Sequence, residues 1–245
     1  MKIIGKNMLI ENRYKIIIAT IYNLVLTMGL FLLFFEFLGP ILEPGFLPKG
    51  MERIGSILTI MAGLLAFQGG ALLTHANYRR DNRMDYLKTM EGSADRFYLR
   101  EISGVSVALL FEVVISAVLL IIVAKPQEIS WNIFLLILYL VLTGIFFLNI
   151  GNLVGYFSKR SALNISALPL VIIVLFLISG AVIPLVQFDN IYALILYYLP
   201  TGMMLSGTDS ILAGDFNALL IPLIYFVVLD LITVFVTRFV LNLDD

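Results

Sequence analysis

Two carboxylates stand where a carboxylate is expensive. Glu112 and Asp230 each lie near the middle of a long apolar run, and a charged side chain there costs about 2.5 to 3.5 kcal/mol on membrane-insertion scales. Two kinds of chemistry would justify that cost: a polar lining for a passage, or a proton-sensitive site. The alternative is a carboxyl bonded to Ser, Thr or Asn of a neighbouring helix, and no Lys or Arg inside these runs is at hand to complete a relay. Glu36 sits close to the end of its run and needs no such explanation. Asn149 and Asn152 are further candidates for a pathway or for helix packing, since i, i+3 spacing puts them on one helix face.

The sequence carries no recognisable catalytic constellation. With no Cys and a single histidine, His75, the chain has no thiolate nucleophile, no disulfide framework and too few imidazoles for an HExxH metal site. No Gly-x-Ser-x-Gly turn accompanies His75, and no GxxxxGK phosphate loop occurs. Leu205, Ser206, Gly207 and Thr208 match the start of the LSGGQ signature of cassette ATPases, which we treat as chance. The expectation is therefore a protein that is not itself an enzyme and holds no metal or cofactor.

The elements that must position these residues follow from composition. Of 245 residues 60% are hydrophobic and 13% charged, with a mean hydropathy of +1.00, against roughly 45 to 50% apolar residues in soluble domains. A membrane span needs about 20 mainly apolar residues to cross about 30 Å of hydrocarbon. Six segments qualify, near residues 16–38, 54–73, 103–124, 132–157, 162–183 and 217–240. The predicted class is an all-α membrane protein forming one transmembrane domain. Residues 1–15 place Ile3, Ile4, Met8 and Leu9 at helical spacing apart from Lys2, Lys6 and Arg13, which fits a short interfacial helix. Small residues recur on the second span at Ala62, Ala66 and Gly70, and on the fourth at Gly151 and Gly155, a spacing that permits close helix approach.

Direction follows from where the cations lie. One side receives four Lys and Arg in residues 1–15, six from Arg79 to Arg100, Lys159 with Arg160, and Arg238; the other receives Lys49, Arg53 and Lys125. The richer side is expected to be cytoplasmic, which makes this a multi-pass protein of the cell membrane with both termini in the cytoplasm. Trp131, Tyr197 and Tyr198 then fall at the outer interface, as aromatic belts do. The formal net charge of -1 leaves no basic excess for nucleic acid.

Two connections are longer than linking requires. Residues 74–101 read as a helix over about 78–90, a turn at Gly92 and Ser93, and a second helix running into the third span. In the first piece Tyr78, Met84, Tyr86 and Leu87 interrupt a charged surface, a mixture suited to a protein contact; a basic loop resting on anionic lipid is the plainer alternative. Residues 183–216 contain no Lys or Arg yet stay apolar. Pro184, Gln187, Asp189 and Asn190 break them, Ile191 to Leu199 is too short to cross, and Pro200 with Gly202 turns the chain before Met203 to Ala213. Such pieces read as re-entrant or interfacial helices packed on protein.

Across essentially its whole length the chain resembles the type 2 permeases of ATP-binding-cassette exporters. RRDNRMDYLKTMEGSADRFYLREISG, from Arg79 to Gly104, looks like that family's charged stretch, turn, and small-residue and Arg segment entering the third helix. SGAVIPLVQFDNIYALILYYLPTG, from Ser179 to Gly202, looks like its Ser-Gly and paired Pro pattern after the fifth helix. The family's usual Glu and Gly in the first stretch, and the Pro before its small-residue and Arg element, are replaced here. The resemblance implies a half-transporter that pairs with itself or a similar chain in the lipid. A separate cytosolic ATPase, carrying the ATP and Mg, would dock on a coupling helix at Arg79, Arg80, Asp81, Arg83, Met84, Asp85, Tyr86 and Leu87. It also implies outer re-entrant helices capping the pathway, and export of a hydrophobic or amphipathic substrate, with a peptide favoured. The other function class is a secondary transporter or channel without a partner, which predicts internal repeats, and no convincing similarity links the two halves.

Overall fold

The computed structural model describes residues 51–75, 94–124, 131–157, 171–181 and 190–242, together with Val25 and Gly29, which are helical. The chain divides into two compact units, Met1–Pro44 and Gly45–Asp245, and the elements below belong to the second. The interfacial helix expected over 1–15, most of the first span, and the helix expected over 78–90 with its turn lie outside the described residues. Among the described residues all regular structure is helical.

Seven helices follow: α1 Met51–His75, α2 Ala94–Ala124, α3 Ile133–Phe157, α4 Val171–Ala181, α5 Asn190–Tyr198, α6 Pro200–Ala213 and α7 Phe216–Asn242. Three are long and apolar enough to cross a membrane, within Ile54–Ala71, Ile133–Phe157 and Phe216–Val240. They occupy different depths of the bundle. Of those windows 89%, 56% and 22% respectively is buried in protein, so α1 is the core and α7 the rim. The rim residues Leu231, Phe235 and Phe239 of α7, and Phe111, Val118 and Ile122 of α2, are large, apolar and exposed, a composition suited to hydrocarbon rather than water. Among the described residues the chain therefore has the helices of a membrane protein.

The centre is the contact between α1 and α3, the most extensive among the described helices. It forms because small residues on the two helices face each other. Gly151 packs on the carbonyl of Phe67, Gly155 on that of Ala71, and Gly70 on that of Leu148, while Ala66 Cβ lies 3.5 Å from where a side chain on Gly144 would begin. Both numbers climb together along the contact, so α1 and α3 run parallel, as two helices crossing from the same side must. The small-residue stripes on the second and fourth spans are thus each other's partner. In lipid, where burying Leu gains little, such close approach supplies dispersion contacts that hold helices together. Phe176 of α4 fills the remaining hollow, its ring against Gly63 and 5.7 Å from that of Phe147.

α2 begins at Ala94 and runs unbroken to Ala124, as expected for a helical piece entering the third span. α4 ends in a π turn over Leu177–Ala181, where Gly180 adopts φ 112°, a conformation L side chains rarely take. Farther along the chain, Pro200 occupies the first turn of α6. Gly202 was expected to help turn the chain before Met203. It lies instead inside α6, buried against the carbonyls of Leu196 and Tyr197, because Pro200 alone suffices to start the helix and the missing side chain lets α5 fold close. α6 stops at Gly214, φ 74°, whose N–H bonds to Ile211 O at 3.1 Å. Asp215 then caps α7, its Oδ1 accepting from the N–H groups of Asn217 and Ala218 at 3.1 Å each.

Candidate functional site

The segment from Asn190 to Ala213 carries hydroxyls on apolar helices, and each needs a partner once water is gone. Four other helices tie to this segment, two at its hydroxyls and two at its carbonyls. Thr208 Oγ1 lies 2.8 Å from Thr59 Oγ1 of α1, and each is also placed to bond its own preceding turn, at Met204 O 3.0 Å and Gly55 O 2.8 Å. Two protons serve three contacts, so one is always unfilled and the pair can exchange donors. Thr201 Oγ1 lies 2.7 Å from Ser179 Oγ at the end of α4. Tyr139 of α3 donates to Met203 O at 3.2 Å, its ring against Gly207. Tyr225 of α7 donates to Tyr198 O at 2.8 Å, a carbonyl left open at the end of α5, and Asn132 Nδ2 donates to Ile211 O at 2.9 Å, which also accepts from the Gly214 N–H.

These ties also set the depth of the hairpin. Its turn at Tyr198 to Met203 lies beside Tyr139, six residues into α3, and beside Tyr225, nine residues into α7. At about 1.5 Å per residue the turn is sunk roughly 10 Å below the starts of those helices. Its far end, at Ile211 and Leu212, returns to the level of Asn132 and Gly55. α5 and α6 are thus a hairpin dipped into one end of the bundle. α6 is buried over Thr201–Leu205 and again at Gly207 and Thr208, whereas α5 exposes Ile191, Leu194 and Ile195.

Chemically the hairpin offers ties rather than a reactive pair. Each neutral hydrogen bond contributes about 1 kcal/mol, so the hairpin is held by several weak bonds that can part in sequence. Tyr139→Phe should cost about 1 kcal/mol for the lost bond to Met203 O, with secondary structure unchanged. Thermal unfolding of the detergent-solubilised chain followed by circular dichroism measures this; an unaltered melting curve would remove Tyr139 from the set of ties.

One acidic group joins the hairpin. Asp209 is pushed up to about 6, first by desolvation against the bundle and second by the negative charge of Glu52 in the first turn of α1. It nevertheless keeps an exposed surface. Because the folded value lies above the ordinary 3.8, the neutral form is the one folding favours. Its contribution is complete below about pH 4 and is lost as pH rises through about 6. The native chain should therefore melt lower at about pH 7.5 than at about pH 4.5, and Asp209→Asn should flatten that difference; an equally steep dependence in the variant would place the effect elsewhere.

The residues singled out from sequence are distributed as follows. Asn149 and Asn152 are both buried on α3; Asn152 touches Gly70 in the seam with α1, while Asn149 lies 60° round the helix by its spacing, toward the sector of Phe146, whose ring is 6.1 Å from that of Phe226 on α7. Glu112 is half-buried on α2 and Asp230 half-buried on α7. The hairpin does not gather these four. Arg79, Arg80, Asp81, Arg83, Met84, Asp85, Tyr86 and Leu87 lie outside the described residues. Sequence reasoning overlooked Thr59, Tyr139, Ser179, Thr201 and Thr208, although Thr201 and Thr208 stand seven apart on one face of an apolar helix. The Leu205 to Thr208 string has a structural explanation, for Gly207 admits Tyr139 and Thr208 meets Thr59. No family model, no curated protein and no solved structure matches this chain.

Proposed function

We propose that the chain is the membrane subunit of an ATP-driven exporter, with six spans, both termini in the cytoplasm and an interfacial helix over residues 1–15. The observation that most supports this reading is the α5–α6 hairpin, sunk into one end of the bundle and tied to α1, α3, α4 and α7 by separate hydrogen bonds. A passage that must stay closed until driven needs a seal of this kind at its outer mouth. Residues 183–216 act as that re-entrant seal, and residues 74–101 reach into the cytoplasm as the coupling element. ATP and Mg belong to a separate cytosolic ATPase that docks on Arg79, Arg80, Asp81, Arg83, Met84, Asp85, Tyr86 and Leu87. Two such permeases, identical or similar, complete the pathway in the cell membrane, and the cargo is hydrophobic or amphipathic, best matched by a peptide. The parallel packing of α1 and α3 accords with two spans that both start outside.

Co-expression with a neighbouring cassette ATPase tests this. A stable complex is expected, and the double variant Arg80→Glu with Tyr86→Ala should lower substrate-stimulated ATP hydrolysis by about tenfold, the loss of one charged and one aromatic contact at an interface. Unchanged stimulation would dismiss the loop as the transmitting element.

A further inference from the structure

The buried stripe of α7 changes character along its length. Leu219, Pro222 and Phe226 open it and are apolar; Asp230, Thr233 and Thr237 continue it at three- and four-residue spacing. The opposite face, with Leu231, Phe235 and Phe239, is apolar and exposed, so the polar stripe looks into protein. Hydrogen bonding along it is uneven. Thr233 donates to Leu229 O at 2.8 Å, but Asp230 Oδ1 and Thr237 Oγ1 are buried and meet no hydrogen-bonding group among the described residues, Thr237 being wholly enclosed.

The charges on the elements packed against α7 are few. α3 has no Asp, Glu, Lys, Arg or His from Ile133 to Phe157, and α2 has only Glu112 between Gly104 and Ala124. α6 has only Asp209, near its far end. On α7 itself Arg238 is exposed and stands eight residues beyond Asp230, about 12 Å along the axis. Among the described residues, no neighbouring helix thus brings a cation to the level of Asp230. An ionised carboxylate with an oxygen sealed from water and without a countercharge is disfavoured far more than a carboxyl that keeps its proton.

We propose that Asp230 is a proton-binding site within the membrane, and that the Asp230, Thr233 and Thr237 stripe is the route by which its proton exchanges with water at the C-terminal end of α7. Such spacing places a hydroxyl every turn toward that end. The inference depends on the chain lying in lipid and not on an ATPase partner.

Dicyclohexylcarbodiimide, a lipid-soluble reagent for protonated carboxyls, supplies the test on the full chain in lipid vesicles. The carboxyl proton passes to one reagent nitrogen, the carboxyl oxygen bonds to the central carbon, and the acyl group then migrates to nitrogen, leaving the whole reagent mass on the side chain. The adduct should map to the peptide holding Asp230, and its rate should fall about tenfold per pH unit once the carboxyl titrates. Asp230→Asn should abolish it with elution and melting unchanged; if that variant fails to fold, Asp230→Glu should retain an adduct at the same position. Thr237→Val should slow hydrogen–deuterium exchange of the carboxyl, read from its infrared carbonyl stretch, without removing the adduct. An adduct absent from Asp230 in the folded native chain, one abolished by Glu112→Gln instead, or an exchange rate untouched by Thr237→Val would overturn the proposal.

Discussion

Gly151→Val should prevent the chain from folding to its native bundle. A side chain at Gly151 begins against the Phe67 carbonyl and 3.0 Å from the Ala71 backbone nitrogen. Both obstacles are backbone of α1, so no rotamer change relieves them, and the helices must separate. Gly155 and Gly70 enforce the same closeness a turn away on either helix, so separation at one point strips contacts along the seam. Overpacking a core commonly costs about 1 to 3 kcal/mol; with rigid backbone on the other side, the upper end or beyond is expected. A valine variant that elutes as a monodisperse species with native melting behaviour would show that this seam does not hold the bundle.

The second large effect concerns Phe176, wholly buried between Gly63 and Phe147. In a water-soluble core Phe→Ala costs about 3 to 5 kcal/mol, part of it the transfer of apolar surface out of water. For a helix that unfolds within lipid that part nearly vanishes, because hydrocarbon solvates phenyl as well as protein does. What remains is the cavity, about 100 Å³ at about 24 cal/mol per Å³, or about 2 kcal/mol. Phe176→Ala should thus lose about 2 kcal/mol in unfolding by a denaturing detergent titrated into mild micelles. A loss near 5 kcal/mol would mean that this site faces water when unfolded, against a membrane setting.

Both effects arise from features whose legibility in the sequence differed. Ala62, Ala66, Gly70, Gly151 and Gly155 announced close approach, since small residues at four-residue spacing in apolar runs have few other uses, but spacing on one helix does not say which other helix will be met. The hairpin was legible as two apolar pieces too short to cross, bounded by prolines. Its ties were not: a Thr in an apolar helix can always bond its own preceding turn, so nothing local distinguishes Thr59, which also meets Thr208, from Thr143, which bonds Tyr139 O at 3.0 Å and reaches no further. Asn149 and Asn152 illustrate the same limit, because a helical wheel gives their angle but not whether the neighbour there is α1 or α7. Asp230 stood out by charge alone, and only packing revealed that it continues a buried polar stripe.

The account stands on residues 74–101 lying inside the cell while the α5–α6 hairpin opens outward, and the absence of cysteine lets single cysteines report this directly. Lys88→Cys and Gly214→Cys, each probed with a membrane-impermeant maleimide on intact cells and on inside-out vesicles, is the measurement. The account predicts that position 214 labels only on intact cells and position 88 only on inverted vesicles. Labelling of position 88 on intact cells would contradict it.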